Sequence, residues 1–352
     1  MAIYINGAQA ITPQNTFLNS EIPADIIHYD GIMQNVLPDF KEYFSPIEMR
    51  RMSRIIKCSS AAAAECIKEA GVDKIDAITT STGLGCLEDT EKFLNKMLDT
   101  DEGLLTPTTF IQSTHNTLSG KIAIDYKCNE YNITYAHKTI SFESALLDAF
   151  LLIKEGKNNI LVGGVDEITP ENYNLRKVIN QWKKEPFSNL NIYNSNTPGC
   201  KAGEGSAYFM ISKDKTENTY AEIKMLELFH KPNGIEALTE NLTQKLKTAG
   251  LSISDIDLVL FGYNGDSIND VYYNLIKDAL FENQDHGYFK HFCGEYDTSA
   301  SFGLWMATRI IKKKSLPENI IIGKRKKDKI NNVLLYNQEN NKNHSFIVLS
   351  AC

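Results

Sequence analysis

The chain has 352 residues, 42% of them hydrophobic and 23% charged, with a formal net charge of −7. That is the make-up of a folded protein with enough length for one large or two moderate cores. The acidic balance excludes a nucleic-acid or membrane-surface role for the molecule as a whole, and no apolar run reaches the length that spans a bilayer. The opening Met1-Ala-Ile-Tyr-Ile-Asn6 has neither the basic start nor the long apolar stretch of a signal peptide, so a cytoplasmic location is expected. The cysteines at 58, 66, 86, 128, 200, 293 and 352 are odd in number and scattered, with no C-x-x-C pair and no Cys/His spacing of the zinc type. Reduced, mostly buried thiols are expected, with no metal and no cofactor.

Strand-like runs alternate with amphipathic helices, which predicts an α/β protein with layered packing. Ser45-Pro46 is an N-cap followed by a proline at the first helical position, opening a helix through Met49, Met52, Ile55 and Ile56 to Gly71. A short strand at 76–80 runs into the glycine turn 81–85, then helices follow near 87–97 and after Asn116. The stretch 132–149 reads as a strand, a tight turn and a long buried helix. A strand at 159–164, a polar loop and a strand ending at 208–212 come next, and the Ser-, Asn- and Pro-rich tract 188–198 is loop. The scheme then repeats with a strand at 221–228, a helix at 234–250, a strand at 257–261, helices at 268–281 and 299–311, and strands at 319–322, 332–336 and 345–350. Two similar halves, 1–215 and 216–352, suggest a duplicated α/β unit.

The strand, turn and helix of 132–149 put the side chain of Thr139 at a helix N-terminus. Free N–H groups and the positive end of the helix dipole lower a thiol's pKa there and hold a developing anion. A threonine hydroxyl gains little at such a place without an adjacent base.

Several segments taken in order resemble the β-ketoacyl synthase family, the decarboxylating condensing enzymes of fatty-acid and polyketide synthesis. Thr106-Pro107 through Phe110, with Asn116 and Gly120, is similar to the stretch after that family's first glycine turn. Val162-Gly-Gly-Val-Asp-Glu167 with Thr169-Pro170 resembles its Gly-Gly-x-Glu strand end, and Gly203-Glu204-Gly205 its Gly-Glu-Gly-Ala segment. Thr134, Ser141, Ala145 and Ala149 match its positions around the reactive cysteine, which falls on Thr139. The His-Gly-Thr-x-Thr-x-x-Asn-Asp segment matches 262–270, where Asn269 and Asp270 are kept and the histidine is Gly262. The Lys-Ser-x-x-Gly-His segment matches 290–295, where Lys290 and Gly294 are kept and the histidine is Glu295.

The resemblance implies a thiolase-like fold with five layers, α/β/α/β/α, built from two similar halves, and a dimer formed through the first half. The three departures imply a homologue lacking the Cys-His-His triad, similar to the chain-length-factor subunits that pair with an active ketosynthase in fatty-acid or polyketide synthesis, including aryl-polyene or flexirubin-like pathways. No catalytic residue is then expected at Thr139, Gly262 or Glu295, whereas Lys290, Glu167, Glu204, Gly294, Asn269 and Asp270 would support the site. The implied partners are an active ketosynthase or a second copy, and an acyl carrier protein, with no nucleic acid and no membrane. Basic runs at Lys312, Lys313 and Lys314 and at Lys324, Arg325, Lys326 and Lys327 are candidates for carrier docking, against the plainer reading of solvated ends.

Alternatives are an active acyl-transfer or condensing enzyme with rearranged residues, using Glu295 and His291 with Thr139, or an acyl-carrier-binding homodimer. His137 and His291 are the nearest histidines to the altered positions, with hydrogen-bonded or partly exposed side chains as the ordinary reading. Cys293 reads as a buried thiol.

Overall fold

The computed structural model describes residues 2–352, and its strands join in one 11-stranded sheet ordered β3-β2-β4-β5-β1-β6-β11-β10-β7-β8-β9. In the first half these are β1 (Tyr4–Ile11), β2 (Ala77–Ser81), β3 (Tyr131–Tyr135), β4 (Ile160–Asp166) and β5 (Gly205–Ser212). In the second they are β6 (Ala221–His230), β7 (Leu258–Phe261), β8 (Asp285–Tyr288), β9 (Ile321–Ile322), β10 (Asn332–Glu339) and β11 (Asn343–Ser350). Within the sheet the halves are joined where Tyr4 and Ile5 of β1 pair with Glu222 and Ala221 of β6. Outward from that seam each half lays down two antiparallel strands and then parallel ones, β1-β5-β4-β2-β3 on one side and β6-β11-β10-β7-β8 on the other. The same order twice is what a duplicated unit produces.

The helices of the first half are α1 (Pro46–Arg51), α2 (Arg54–Ala70), α3 (Leu87–Asp99), α4 (Pro107–Ser113), α5 (Thr117–Asp125), α6 (Ser141–Lys154) and α7 (Pro170–Val178). Those of the second are α8 (Gly234–Thr248), α9 (Val271–Leu280), α10 (Lys290–Cys293) and α11 (Ala300–Lys313). Helices α6 and α11 lie between the two half-sheets. Every residue from Ala300 to Ile311 is buried, as a helix covered on all sides must be. On the outer face of the first half-sheet, α2 sets Cys58, Ala61, Ala62 and Cys66 against β1 and β5. Its small side chains allow an approach so close that a methyl group on Gly7 would overlap the Cys66 carbonyl. Helices α8 and α9 cover the other outer face. The result is the five-layered α/β/α/β/α architecture, with one core under α2, one around α6 and α11, and one under α8 and α9.

Several local expectations change. The helix expected from Pro46 to Gly71 is two helices, because Met52 and Ser53 are extended (ψ 131° and 170°). The break lets Arg54 reach Glu204, while the capping box of Ser45 and Glu48 starts α1 and left-handed Gly71 (φ 64°) ends α2. The polar loop after β4 contains α7, capped by Thr169, and the tract 188–198 contains a 3₁₀ turn at Asn189–Asn194. Strands β1 and β8 were not foreseen, and the run at 319–322 is a 3₁₀ turn followed by a two-residue strand. Among the described residues no helix is long and apolar enough to cross a membrane.

The two halves touch most closely at Gly203 and Gly294. A Cβ on Gly294, whose φ is +73°, would lie 2.7 Å from Gly203 Cα, and one on Gly203 would overlap the Cys293 carbonyl. Gly203→Ala is expected to destabilise the protein by about 3 kcal/mol, because backbone on both sides would have to move. Urea denaturation measures this, and a loss below about 0.5 kcal/mol would show that the seam yields.

Candidate functional site

Thr139 stands on a 3₁₀ turn, Lys138–Ile140, between β3 and α6. Lys138 takes a left-handed φ of 53°. The turn is tied by Ser141, whose hydroxyl accepts from His137 N–H and donates to the Lys138 carbonyl, both at 2.6 Å. The Thr139 hydroxyl donates to Glu339 Oε2 at 2.5 Å, and Asn343 Nδ2 donates to the same oxygen at 2.9 Å. Glu339 ends β10 at a tight connection to β11, where Asn340 and Asn341 are left-handed (φ 48° and 53°). His137 is exposed.

Gly262 follows β7, with its N–H on the Tyr336 carbonyl at 3.0 Å. A Cβ there would overlap Asn337 Oδ1 and stand 2.7 Å from the Tyr273 hydroxyl and 3.3 Å from Lys290 Cε. The space beside Gly262 is thus filled by other side chains. On the neighbouring loop, Lys290 is fully buried and its ammonium donates to Glu295 Oε2 at 2.6 Å. Asn264 Nδ2 donates to the same oxygen at 2.6 Å and the Ser299 hydroxyl to Oε1 at 3.0 Å. Three donors converge on Glu295, the surroundings of an acceptor.

Asp270 holds the loop that carries Asn264, accepting from Asn264 N–H at 3.1 Å and Gly265 N–H at 2.9 Å. Asn269 Nδ2 bonds Asp266 Oδ2 at 2.7 Å, and the Asn269 carbonyl accepts from Gln338 Nε2 at 2.9 Å. Burial pushes the Asp270 carboxyl up to about 7. Glu143, inside the first turn of α6, is pushed to about 7 for the same reason, with one oxygen on the Ser345 hydroxyl at 2.7 Å and the other without a partner.

Thr139, Glu295 and Asn269 share a cleft of about 600 Å³. Its lining is amides and charges: Asn172, Arg176, Asn264, Asp297, Asn337 and Glu339 stand beside very few apolar side chains. Asp297 pairs with Arg176 at 3.3 Å and is pushed up to about 6 by burial and by neighbouring Asp166. Glu167 and Glu204 lie behind the cleft rather than in it. Glu204 is ion-paired with Arg54 and accepts from Asn35 N–H at 2.9 Å and Ile168 N–H at 3.0 Å. Glu167 accepts from Glu88 N–H at 3.0 Å, and burial lifts its carboxyl to about 8.

His291 is remote from Thr139 in function as well as in contact. Its ring is buried, stacked on Tyr288 and hydrogen-bonded to the Asn319 carbonyl at 2.8 Å, and burial lowers its pKa to about 3. Cys293 is buried with a thiol pushed well above its ordinary range. Among the described residues no group of His, Cys, Asp and Glu is placed to hold a metal ion.

Both basic runs sit at the other end of the molecule. Lys312, Lys313 and Lys314 close α11, whose first turn faces the cleft about 20 Å away along the helix. Lys326 and Lys327 bond Asp285 at the start of β8, whereas the end of β8 leads to Lys290. The ammonium groups of Lys312 and Lys326 are spent on backbone carbonyls of Thr219, Glu282 and Gln284. Lys313 pairs with Glu21 and Lys327 with Asp257, and the Arg325 guanidinium bonds the Lys327 and Asp328 carbonyls; Lys324 is exposed. Glu339, Asn264, Asn337, Arg176 and Asp297 are site residues that no motif marked, since nothing in their spacing connects them to Thr139.

A family model described as the β-ketoacyl synthase N-terminal domain matches residues 34–217. No curated protein sequence matches the chain. Among solved structures, the ishigamide ketosynthase/chain length factor superimposes with a TM-score of 0.83 at 14% identity, covering 100% of this chain and 99% of that one. A β-ketoacyl synthase from Burkholderia phymatum STM815 gives 0.80 at 14%, again covering 100% and 99%. The apo AntDE:AntF complex, a type II PKS acyl-carrier protein in complex with its ketosynthase bound to the hexaketide, gives 0.80 at 13% with the same coverage. Likeness at these identities is likeness of fold.

Lys290→Met would leave Glu295 without its buried cation and is expected to cost about 3 kcal/mol. Lys290→Met/Glu295→Gln should lose clearly less than the two single losses added, and strict additivity in urea unfolding would show the pair to be uncoupled. Glu143 and Asp270 both bind their proton more tightly when folded, so their contribution to stability is complete below pH 4 and is lost as pH rises to about 7. Glu143→Gln is expected to flatten the fall in stability between about pH 5 and 7. An unchanged slope in pH-dependent unfolding would count against the buried neutral carboxyl.

Proposed function

The chain belongs to the β-ketoacyl synthase family, and within it we propose that this protein is a subunit that does not condense, acting as a chain-length-factor-like partner of an active ketosynthase in polyketide or fatty-acid synthesis. The observation that carries the reading is Glu295, a carboxylate bound by Lys290, Asn264 and Ser299 where the resemblance places a histidine. Condensation removes a carboxylate from a malonyl group and leaves an enolate, so the site must favour negative charge in the transition state. Glu295 and Glu339 place acceptor oxygens in the cleft where that negative charge would develop. Gly262 has no room for an imidazole, and among the described residues the group bonded to the Thr139 hydroxyl is a carboxylate.

The hydrogen bond from Thr139 to Glu339 favours a second reading, acyl transfer through a Thr139 ester. It is the weaker one. A carboxylate is a weak base towards an alcohol, and the dipole of α6 begins two residues further on, at Ser141.

A partner has a place to bind. Strand β3 pairs only with β2 and leaves one edge open. Beside it, Leu147 and Leu151 are 41% and 47% exposed, one turn apart on α6. An open edge next to an apolar helical stripe is the profile of a protein interface.

Co-expression with a ketosynthase encoded beside this chain, followed by native mass spectrometry, is expected to give a one-to-one heterodimer. Leu147→Glu/Leu151→Glu should abolish it. A stable homodimer that ignores the synthase would defeat the proposal, and mass-spectrometric detection of an acyl group on Thr139 after incubation with acyl carrier would establish the second reading in its place.

A further inference from the structure

Between α7 and β5 the chain forms a strap that lies across the second half. Its ends are drawn together where Cys200 N–H bonds the Gln181 carbonyl at 2.8 Å and Lys183 N–H the Cys200 carbonyl at 3.0 Å. From there the strap, 184–198, packs Phe187, Ile192 and Tyr193 into the core under α8 and α9. Tyr193 meets Tyr263 edge to face, and Asn189 Nδ2 reaches the His291 carbonyl at 2.8 Å. Lys183 stands at the mouth of the strap and is only 7% exposed. Among the described residues its ammonium bonds only hydroxyls and carbonyls, a rare setting for a buried charge.

Four oxygens surround that ammonium: Ser195 Oγ, Thr197 Oγ1 and the Thr197 carbonyl at 2.7 Å, and the Gly265 carbonyl at 2.6 Å. The Phe187 ring closes a further side, its centre 4.6 Å away. An ammonium has three N–H donors, so four oxygens at nearly one distance form a coordination shell rather than a set of directed hydrogen bonds. A shell of such oxygens is what replaces the water around a monovalent cation. The Ser195 hydroxyl gives its own hydrogen to the Gly265 carbonyl, which leaves its lone pairs to the ammonium. Two of the four oxygen-bearing residues belong to the strap, and the third, Gly265, to the loop of the second half that carries Asn264. Gly265 is left-handed, with φ 88°. It is held at both polar groups, its N–H by Asp270 at 2.9 Å and its carbonyl by Lys183.

We propose that Ser195, Thr197 and Gly265 form a monovalent-cation site, of the kind that takes potassium or ammonium ion, which the chain fills with its own Lys183 side chain to fasten the strap to the Asn264 loop. The cation is tethered, so the strap stays closed whatever salt surrounds the protein. Without the tether the same oxygens would take a free cation. The site does not require the partner-subunit reading, and its test involves no second protein.

Cys200 reports on the mouth of the strap, because it is 7% exposed and carries a thiol that burial pushes well above its ordinary range. Alkylation of the full chain with iodoacetamide, followed at Cys200 by peptide mass spectrometry, measures how readily that mouth opens. Lys183→Ala empties the cage and is expected to speed alkylation of Cys200 at least about 10-fold. Potassium or ammonium chloride should return the variant to within about 3-fold of the wild type. Tetramethylammonium chloride at the same ionic strength should not, since its methyl groups keep the charge from the oxygens. The wild type should react alike in all three salts. Thr197→Val, at an exposed position, removes one oxygen of the shell and serves if Lys183→Ala does not fold; it should speed the reaction at least about 3-fold. The proposal is overturned if Lys183→Ala reacts as the wild type does, if the three salts act alike on it, or if Thr197→Val leaves the rate unchanged.

Discussion

The contact between Gly203 and Gly294 sets the geometry of everything at the cleft. There the segment that enters β5 runs against the segment that leaves α10, with Glu295 N–H on the Lys201 carbonyl at 2.7 Å and Gly203 N–H on the Glu295 carbonyl at 3.1 Å. Neither residue can carry a side chain without parting the two backbones. Beside the seam, the buried Asp166 carboxylate joins the halves again, accepting from Thr82 and Gly83 of the first and twice from Thr298 of the second, at 2.8–3.1 Å. A buried carboxylate needs that many donors to be tolerated. Because the seam fixes the start of α11, it also fixes where Glu295 and Asp297 project.

Around that frame the cleft is electrostatically inverted relative to the chemistry of condensation. Lys290 is the one fully buried cation at its centre, and Glu295 binds it directly. Burial raises the carboxyls of Asp270 and Glu143 nearby to about 7, which holds back part of their charge near neutral pH. The amides of Asn264, Asn337 and Asn172 stand in the lining beside Leu84, Ile179 and Cys200. On the proposed reading, the threonine at 139 is one of several departures that share one environment. A lone substitution at 139 would not produce that.

The remaining surfaces are arranged about the same axis. Parallel strands β2, β4, β7 and β10 end towards the cleft, so the loops that follow them carry its residues. The basic runs occupy the opposite ends of α11 and β8. The open edge of β3 and the leucines of α6 belong to the first half alone.

Much of this was legible in the residue order. Alternation of strand and helix, the caps at Ser45 and Gly71, the glycine turns and the doubled half all follow from local rules, since periodicity and φ preference act over a few neighbours. The identities Thr139, Gly262 and Glu295 could likewise be read in place. Local rules did not reach β1 or β8. The first makes its bonds with strands some 200 residues away, and the second is four residues held between a parallel and an antiparallel neighbour. They also ran the first long helix straight through Ser53, because what bends the chain there is Arg54 reaching for Glu204, which lies 150 positions on. The site divided in the same way. Sequence alone determined which residues stand at 139, 262 and 295, whereas only the tertiary structure decided what surrounds them: Glu339 under the Thr139 hydroxyl, Asn337 in the space beside Gly262, and Lys290 with Asn264 on Glu295. Those partnerships join residues remote in the chain, and their energies depend on burial and on distances that exist only after the two halves have closed on Gly203 and Gly294.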